Sequence, residues 1–115
     1  MLIEKVVLDH LKTKLNSNDI YLETPEVAPA EFVEFRIEAR GKVNQIDAVT
    51  FEIYSEADSK LAAATLDKRV RDAMASLIEG DSVSKSELGG GRDEMDNALK
   101  KYRYVSYYNV IFYDD

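Results

Sequence analysis

Apolar residues recur every four positions at the start of the chain: Ile3, Val7, Leu11 and Leu15, with Leu2 and Val6 on the flank. That spacing predicts an amphipathic helix over residues 2–15, ended by the turn chemistry of Asn16, Ser17 and Asn18. The segment "DIYLE" that follows predicts a short strand. "TPEVAPAE" holds both prolines of the chain, Pro25 and Pro29. Proline removes a backbone donor and biases its predecessor toward extended geometry, so this segment predicts a loop.

From Phe32 the period changes to two. Val33, Phe35, Ile37 and Ala39 alternate with Glu34, Arg36, Glu38 and Arg40, the signature of a strand with one wet face. Gly41 and the polar residues after it predict a turn. A second strand follows over 45–54, with Val49, Phe51 and Ile53 toward the core. The short connection makes the pair an antiparallel hairpin.

"SEAD" then reads as the start of a long helix, with Ser55 as its cap and Glu56 and Asp58 in the first turn, where the helix dipole favours negative charge. Leu66, Val70, Ala73, Met74 and Leu77 form its buried stripe, continued by Ala62 and Ala63. Asp67–Arg71 and Lys68–Asp72 are spaced as exposed i,i+4 pairs, Leu61 falls off the stripe, and Gly80 marks the stop. The remainder predicts a last hairpin. "DSVSKSEL" is its weak first strand, the glycines of "SELGGGRDEMD" its tip, and "YRYVSYYNVIFY" its strong second strand. The expected fold is therefore α+β: an antiparallel sheet of four to five strands with two helices on one face, in the order α-β-β-β-α-β-β.

Composition narrows the setting. At 115 residues the chain is expected to form one domain spanning 1–115. It is 45% hydrophobic and 32% charged, which is a globular rather than a disordered composition. The absence of cysteine excludes disulfides, thiol nucleophiles and cysteine–zinc sites. A formal charge of -7 argues against general nucleic-acid binding, which needs clustered Lys and Arg. No apolar run is long enough to span a membrane, and the N-terminus lacks signal-peptide features, so an intracellular, soluble setting is expected.

Candidate chemistry is sparse. His10 is the lone histidine and lies near the apolar edge of the first helix, as a structural histidine would. Asp9 beside it points elsewhere and makes no triad. Glu34 and Glu38 share a strand face with Arg36 between them, a solvated face or a subunit contact rather than an acid–base pair. Asp114 and Asp115 read as a solvated tail. The glycine stretch is not a phosphate loop, because Arg92 is followed by Asp93, Glu94 and Asp96, and it lacks calcium-loop spacing. A mobile hairpin tip that orders against a partner is the expectation. Tyr102, Tyr104, Tyr107, Tyr108 and Tyr113 crowd the last strand among Val105, Val110, Ile111 and Phe112, so both of its faces carry large apolar bodies. Two explanations are open: β-propensity with hydroxyls reaching water, or burial of the second face by another subunit, which is favoured here. The expected contact residues are Gly89, Gly90, Gly91, Arg92, Asp93 and Glu94 together with Tyr104, Tyr107 and Tyr108. No catalytic residue, metal or cofactor is expected.

The layout of a short N-terminal helix, "IYLETPEVAPAEFVEFRIEARG", "IDAVTFEIYSEADSKLAAATLDKRVRDAM" and a final "KKYRYVSYYNVIFYDD" resembles the tail terminator (tail completion) proteins of long-tailed bacteriophages and prophages of Gram-positive bacteria. The resemblance covers nearly the whole chain and rests on element order and local pattern. It implies a non-enzymatic subunit, monomeric when free, that assembles as a hexameric ring on the tail tube and ends tube polymerisation. Its partners would be the major tail tube protein and the head-completion or connector protein, with DNA passing through the lumen unbound. It would belong to the virion tail and be assembled in the host bacterial cytoplasm. Carboxylates lining such a lumen would repel phosphates and let the duplex slide. The alternatives are another head–tail joining or tail-tube component, or a small acidic ligand-binding or enzyme domain.

Overall fold

The computed structural model describes residues 2–113; Asp114 and Asp115, expected as a solvated tail, lie outside them. Helix α1 (Ile3–Leu15) is followed by strands β1 (Ile20–Tyr21), β2 (Glu31–Val43) and β3 (Ile46–Ala57). Helix α2 (Lys60–Ala75) runs into a 3-10 turn (Ser76–Glu79), and β4 (Val83–Asp96) and β5 (Lys101–Phe112) complete the chain. The strands form one sheet in the order β1-β2-β3-β5-β4. The fold is thus α+β, with five strands, two helices and the expected element order. All pairings are antiparallel except β1 with β2, which is parallel.

The helices form where their apolar stripes meet the sheet. Ile3, Val7, Leu11 and Leu15 are all buried, as are Leu66, Val70, Ala73, Met74 and Leu77. Both stripes join Val33, Phe35, Val49, Phe51, Ile53, Tyr108 and Val110 in one core. Asn16 ends α1 in the left-handed region at φ 51, while Ser17 N–H donates to Lys12 O at 3.1 Å. His10 is structural: its Nε2 lies 2.7 Å from Ala73 O and 3.0 Å from Ser76 Oγ, tying α1 to the end of α2.

Four sequence expectations are corrected. The β2–β3 turn is Asn44–Gln45, both at positive φ, and not Gly41, which lies inside β2; a two-residue hairpin turn of this type needs positive φ at both central positions. Helix α2 is capped by Ser59, whose Oγ accepts from Ala62 N–H at 3.1 Å. Ser55, Glu56 and Ala57 continue β3 instead, because β2 and β5 flank it there and satisfy its backbone on both sides. Asp67 is not an exposed half of a helix pair: it is 7% exposed, accepts from Ser106 Oγ at 2.6 Å and meets Arg71 at 3.2 Å.

The fourth correction concerns the glycines. They are not a hairpin tip; β4 runs through them, and the turn lies at 97–100, where Asp96 Oδ1 accepts from Ala98 and Leu99 N–H. A bulge falls between Leu88 and Gly90. Gly90 sits at φ +143, and a Cβ on Gly91 would come within 2.6 Å of Val105 O. Glycine is what lets the strand shift register and still lie against β5.

Bulges also set which face each side chain occupies. In β2 the irregularity between Ile37 and Ala39 reverses the alternation. Arg40, expected on the wet face with Glu34 and Arg36, therefore turns to the helix side and meets Glu4 of α1 at 3.0 Å.

Candidate assembly surface

With both helices on one side, the other face of the sheet has only side chains and the proline loop to cover it. The register places Arg36, Glu52, Tyr54, Glu56, Val105, Arg103, Tyr107, Arg92, Glu94 and Asp96 there. Its centre is nonetheless buried: Glu52, Tyr54, Glu56 and Val105 are 6%, 6%, 1% and 0% exposed. The loop over 22–30 is held across this region by Thr24 Oγ1, donating to Glu34 at 2.8 Å, and by Lys101 Nζ. That ammonium donates to Ala30 O at 3.3 Å and to Asp58 at 2.6 Å.

A continuous ionic network crosses the face. Arg36 reaches Glu52 at 2.7 Å and Tyr54 Oη at 2.6 Å, and Tyr54 Oη donates in turn to Glu52. The Tyr54 ring is flanked by two guanidinium groups, Arg36 at 5.3 Å and Arg103 at 4.8 Å from its centroid, an arrangement in which the ring quadrupole attracts both cations. Arg103 continues to Glu94 at 2.6 Å and to Asp96 at 3.5 Å. Arg92 closes the edge, donating to Tyr107 Oη at 2.5 Å and pairing with Glu94 at 3.2 Å.

Burial shifts the titration of this network, and the partners decide each direction. Burial raises Glu52, but hydrogen bonds from Tyr54, Arg36 and Tyr107 outweigh it and hold that carboxyl low. The Tyr54 phenol is pushed up to about 12 by burial and by the Glu52 carboxylate that accepts from it. Glu56 is pushed up to about 8 by burial and by the neighbouring Asp96. Asp96 is held low, because the hydrogen bond from Glu56 and those from Leu99 and Ala98 N–H overcome its own burial. Glu56 is therefore the proton-bearing partner of a carboxyl pair.

The residues expected to make contacts fall into three places. Gly90, Gly91, Arg92, Asp93 and Tyr104 border an open groove of about 350 Å³ beside α2, with Asp67, Arg71 and Leu88 on its other walls; Asp93 meets Lys60 of α2 at 3.3 Å. Gly89 lies at the bulge beside them, with the Asn109 side chain 3.0 Å from where its Cβ would be. Tyr107, with Arg92 and Glu94, belongs to the opposite, helix-free face. Tyr108 is in neither group: it is 2% exposed and part of the core, which removes it as a contact residue. The second face that the tyrosines suggested a partner must cover is partly covered by the chain's own arginines and loop.

Sequence reasoning missed Glu52, Tyr54, Glu56 and Arg103. The available signal was "FEIYSEA", two acids and a tyrosine on the alternate positions of a strand whose neighbours are apolar. Among the described residues no group of three or more His, Asp or Glu is placed to hold a metal ion. No helix there is long and apolar enough to cross a membrane.

No protein-family model matches the chain, and no curated protein matches it. Among solved structures the chain is similar to a chain of the virion of a native gene transfer agent particle, with a TM-score of 0.70 at 13% identity. The match covers 96% of this chain and 93% of that one, so the two share their fold from end to end.

Proposed function

We propose that the protein is a virion structural and assembly subunit of a phage-type particle, acting as the terminator that caps the tail tube. The observation that carries this reading is the end-to-end fold match to a chain of a gene transfer agent virion. The element order supports it, since it is the order that suggested a tail terminator. In this role six subunits form a ring on the last layer of the tube, stop its growth and offer the surface that joins the head connector. DNA passes through the lumen without being gripped, as suits a subunit of formal charge -7.

The helix-free face fits a part that must hold its shape under load. Its arginines are tied into a network rather than left free to bind phosphate, so the face is stiff and nearly neutral at its centre. The decisive experiment adds purified protein to polymerising tail tubes and measures tube length by electron microscopy. Tubes of limited length, each carrying a ring at one end, are expected. Unchanged growth overturns the terminator reading, and incorporation of the protein along the tube wall points to a tube component instead.

A further inference from the structure

Strand β4 is the long open edge of the sheet. It runs 14 residues, is paired on one side only, and is exposed over almost all its length. An unpaired edge of this size presents a row of N–H and C=O groups whose chemical complement is another extended strand. On the opposite edge the two-residue β1 covers only Val33 and Glu34 of β2 and leaves the rest of β2 open. β4 is therefore not the sole edge, but it is the longer one and the one whose charges complement a copy of itself.

The bulge determines which registers are possible. Antiparallel partners directly opposite each other share a face. Before the bulge the helix-free face of β4 carries Lys85 and Glu87; after it, the same face carries Gly90, Arg92, Glu94 and Asp96. Self-pairing must therefore set Lys85 and Glu87 of one copy against residues from Gly90 onward in the other. One register does this with both Lys85 and Glu87 facing an opposite charge: Lys85 opposite Glu94, and Glu87 opposite Arg92. On the other face it sets Leu88 opposite Gly91 and Ser86 opposite Asp93. Shifting by two positions one way puts Lys85 opposite Arg92, and the other way puts Glu87 opposite Glu94. Each of these is a like-charge pair, and the two-fold axis makes it occur twice.

We propose that the free protein is a two-fold dimer in which β4 pairs antiparallel with β4 of a second copy, the axis passing between Gly89 and Gly90. The two sheets join into one of ten strands. Two Lys85–Glu94 and two Glu87–Arg92 pairs hold the register, and each half-exposed Leu88 (47%) covers the bare backbone of the partner's glycine run. A ring of identical head-to-tail steps contains no such axis. The dimer is therefore the form in which the edge is protected before assembly. It replaces the free monomer that the resemblance implies, and a monomeric wild type would overturn the dimer while leaving the terminator reading intact.

The chain has no cysteine, so introduced thiols alone report the register. E87C/R92C should give a disulfide-linked dimer under mild oxidation. The two positions lie about 15 Å apart along one strand, too far for a disulfide within a chain. K85C/R92C and E87C/E94C, which test the neighbouring registers, should stay unlinked. In sedimentation the wild type should run at twice the 13.0 kDa monomer mass. E87R, which leaves the Arg92 contacts intact, should weaken dimerisation by at least about tenfold, and E87R/R92E should restore it. A wild type that stays monomeric, a control pair that links as fast as E87C/R92C, or an E87R protein that dimerises normally would overturn the proposal.

Discussion

Replacing Glu56 by glutamine should stabilise the protein, and by more as the pH rises. Glu56 lies on the central strand, 1% exposed, its Oε1 without a hydrogen-bond partner and its neighbour Asp96 a second acid. Around it stand Glu34 from β2, Tyr54 on its own strand, Glu94 from β4, and Arg103 and Lys101 from β5. Two carboxyl groups in contact satisfy each other only when one holds a proton. In the folded chain Glu56 keeps its proton up to about pH 8, against an ordinary value of 4.5. The unfolded chain has released that proton above about pH 4.5, so between the two values the folded state binds more protons and stability falls as pH rises. At about 1.4 kcal/mol per pH unit, the loss accumulated by pH 8 is on the order of 3–5 kcal/mol. Stability from this group is thus complete below about pH 4.5 and spent above about pH 8. The side-chain amide introduced by Glu56→Gln can donate to Asp96 without titrating. Urea unfolding followed by circular dichroism at several pH values between about 5 and 9 should show the wild-type midpoint falling and the E56Q midpoint nearly level. Parallel profiles for the two proteins, or an E56Q protein less stable than wild type at about pH 8.5, would refute the account of Glu56 as a neutral acid.

Other expectations follow from single contacts. Gly91→Ala should cost about 1–3 kcal/mol, because its methyl would meet Val105 O at 2.6 Å and that oxygen belongs to the paired backbone; Gly41→Ala, with open space around it, should lie within about 0.5 kcal/mol of wild type in the same thermal melt. Ser59→Ala should lose the α2 cap at a cost of about 1 kcal/mol, whereas Ser55→Ala removes a buried hydroxyl with no partner and should be neutral or stabilising in urea. Lys101→Ala should release the proline loop by deleting its bonds to Ala30 O and Asp58, seen as faster protease cleavage within 22–30 and a stability loss of about 1–3 kcal/mol. Equal cleavage rates in wild type and K101A would show that the loop is held by other contacts.

The features legible in the chain were those governed by local periodicity. Ile3–Leu15 and Leu66–Leu77 show their stripes because a helix repeats every 3.6 residues whatever surrounds it, and the order of elements followed from those stripes and the prolines. Features set by neighbouring strands were not legible. Ser55 and Glu56 look like a helix start because Ser followed by acids is good capping chemistry, yet two flanking strands claim their backbone. The glycines look like a tip because glycine weakens a strand, yet here they accommodate a bulge. Nothing in the local alternation of "FRIEARG" announces the irregularity after Ile37 that carries Arg40 to the helix side. On the surface, Arg92, Tyr104 and Tyr107 could be singled out, but Tyr107 and Tyr108 point to opposite faces. Which of the two is buried depends on where α2 lies.

Of the sheet's three register irregularities, those at Ile37/Ala39 and Leu88/Gly90 decide where its charges fall. The unpaired residue at Gly89 lets Lys85, Glu87, Arg92 and Glu94 lie on one face although their numbering changes parity halfway along. An antiparallel copy that slides by two positions then meets like charges, and these set the register. The same irregularity in β2 moves Arg40 to Glu4 and leaves Ala39, Gly41 and Ala48 as a smooth helix-free end beyond the ionic network. Specificity along the edge therefore comes from the side-chain charges. Deleting the unpaired Gly89 would close Leu88 onto Gly90 against Tyr108 and Tyr107 and leave Lys85, Glu87, Arg92 and Glu94 on the helix-free face. The charge match should survive that deletion, whereas reversing the single charge at Glu87 should not leave it intact.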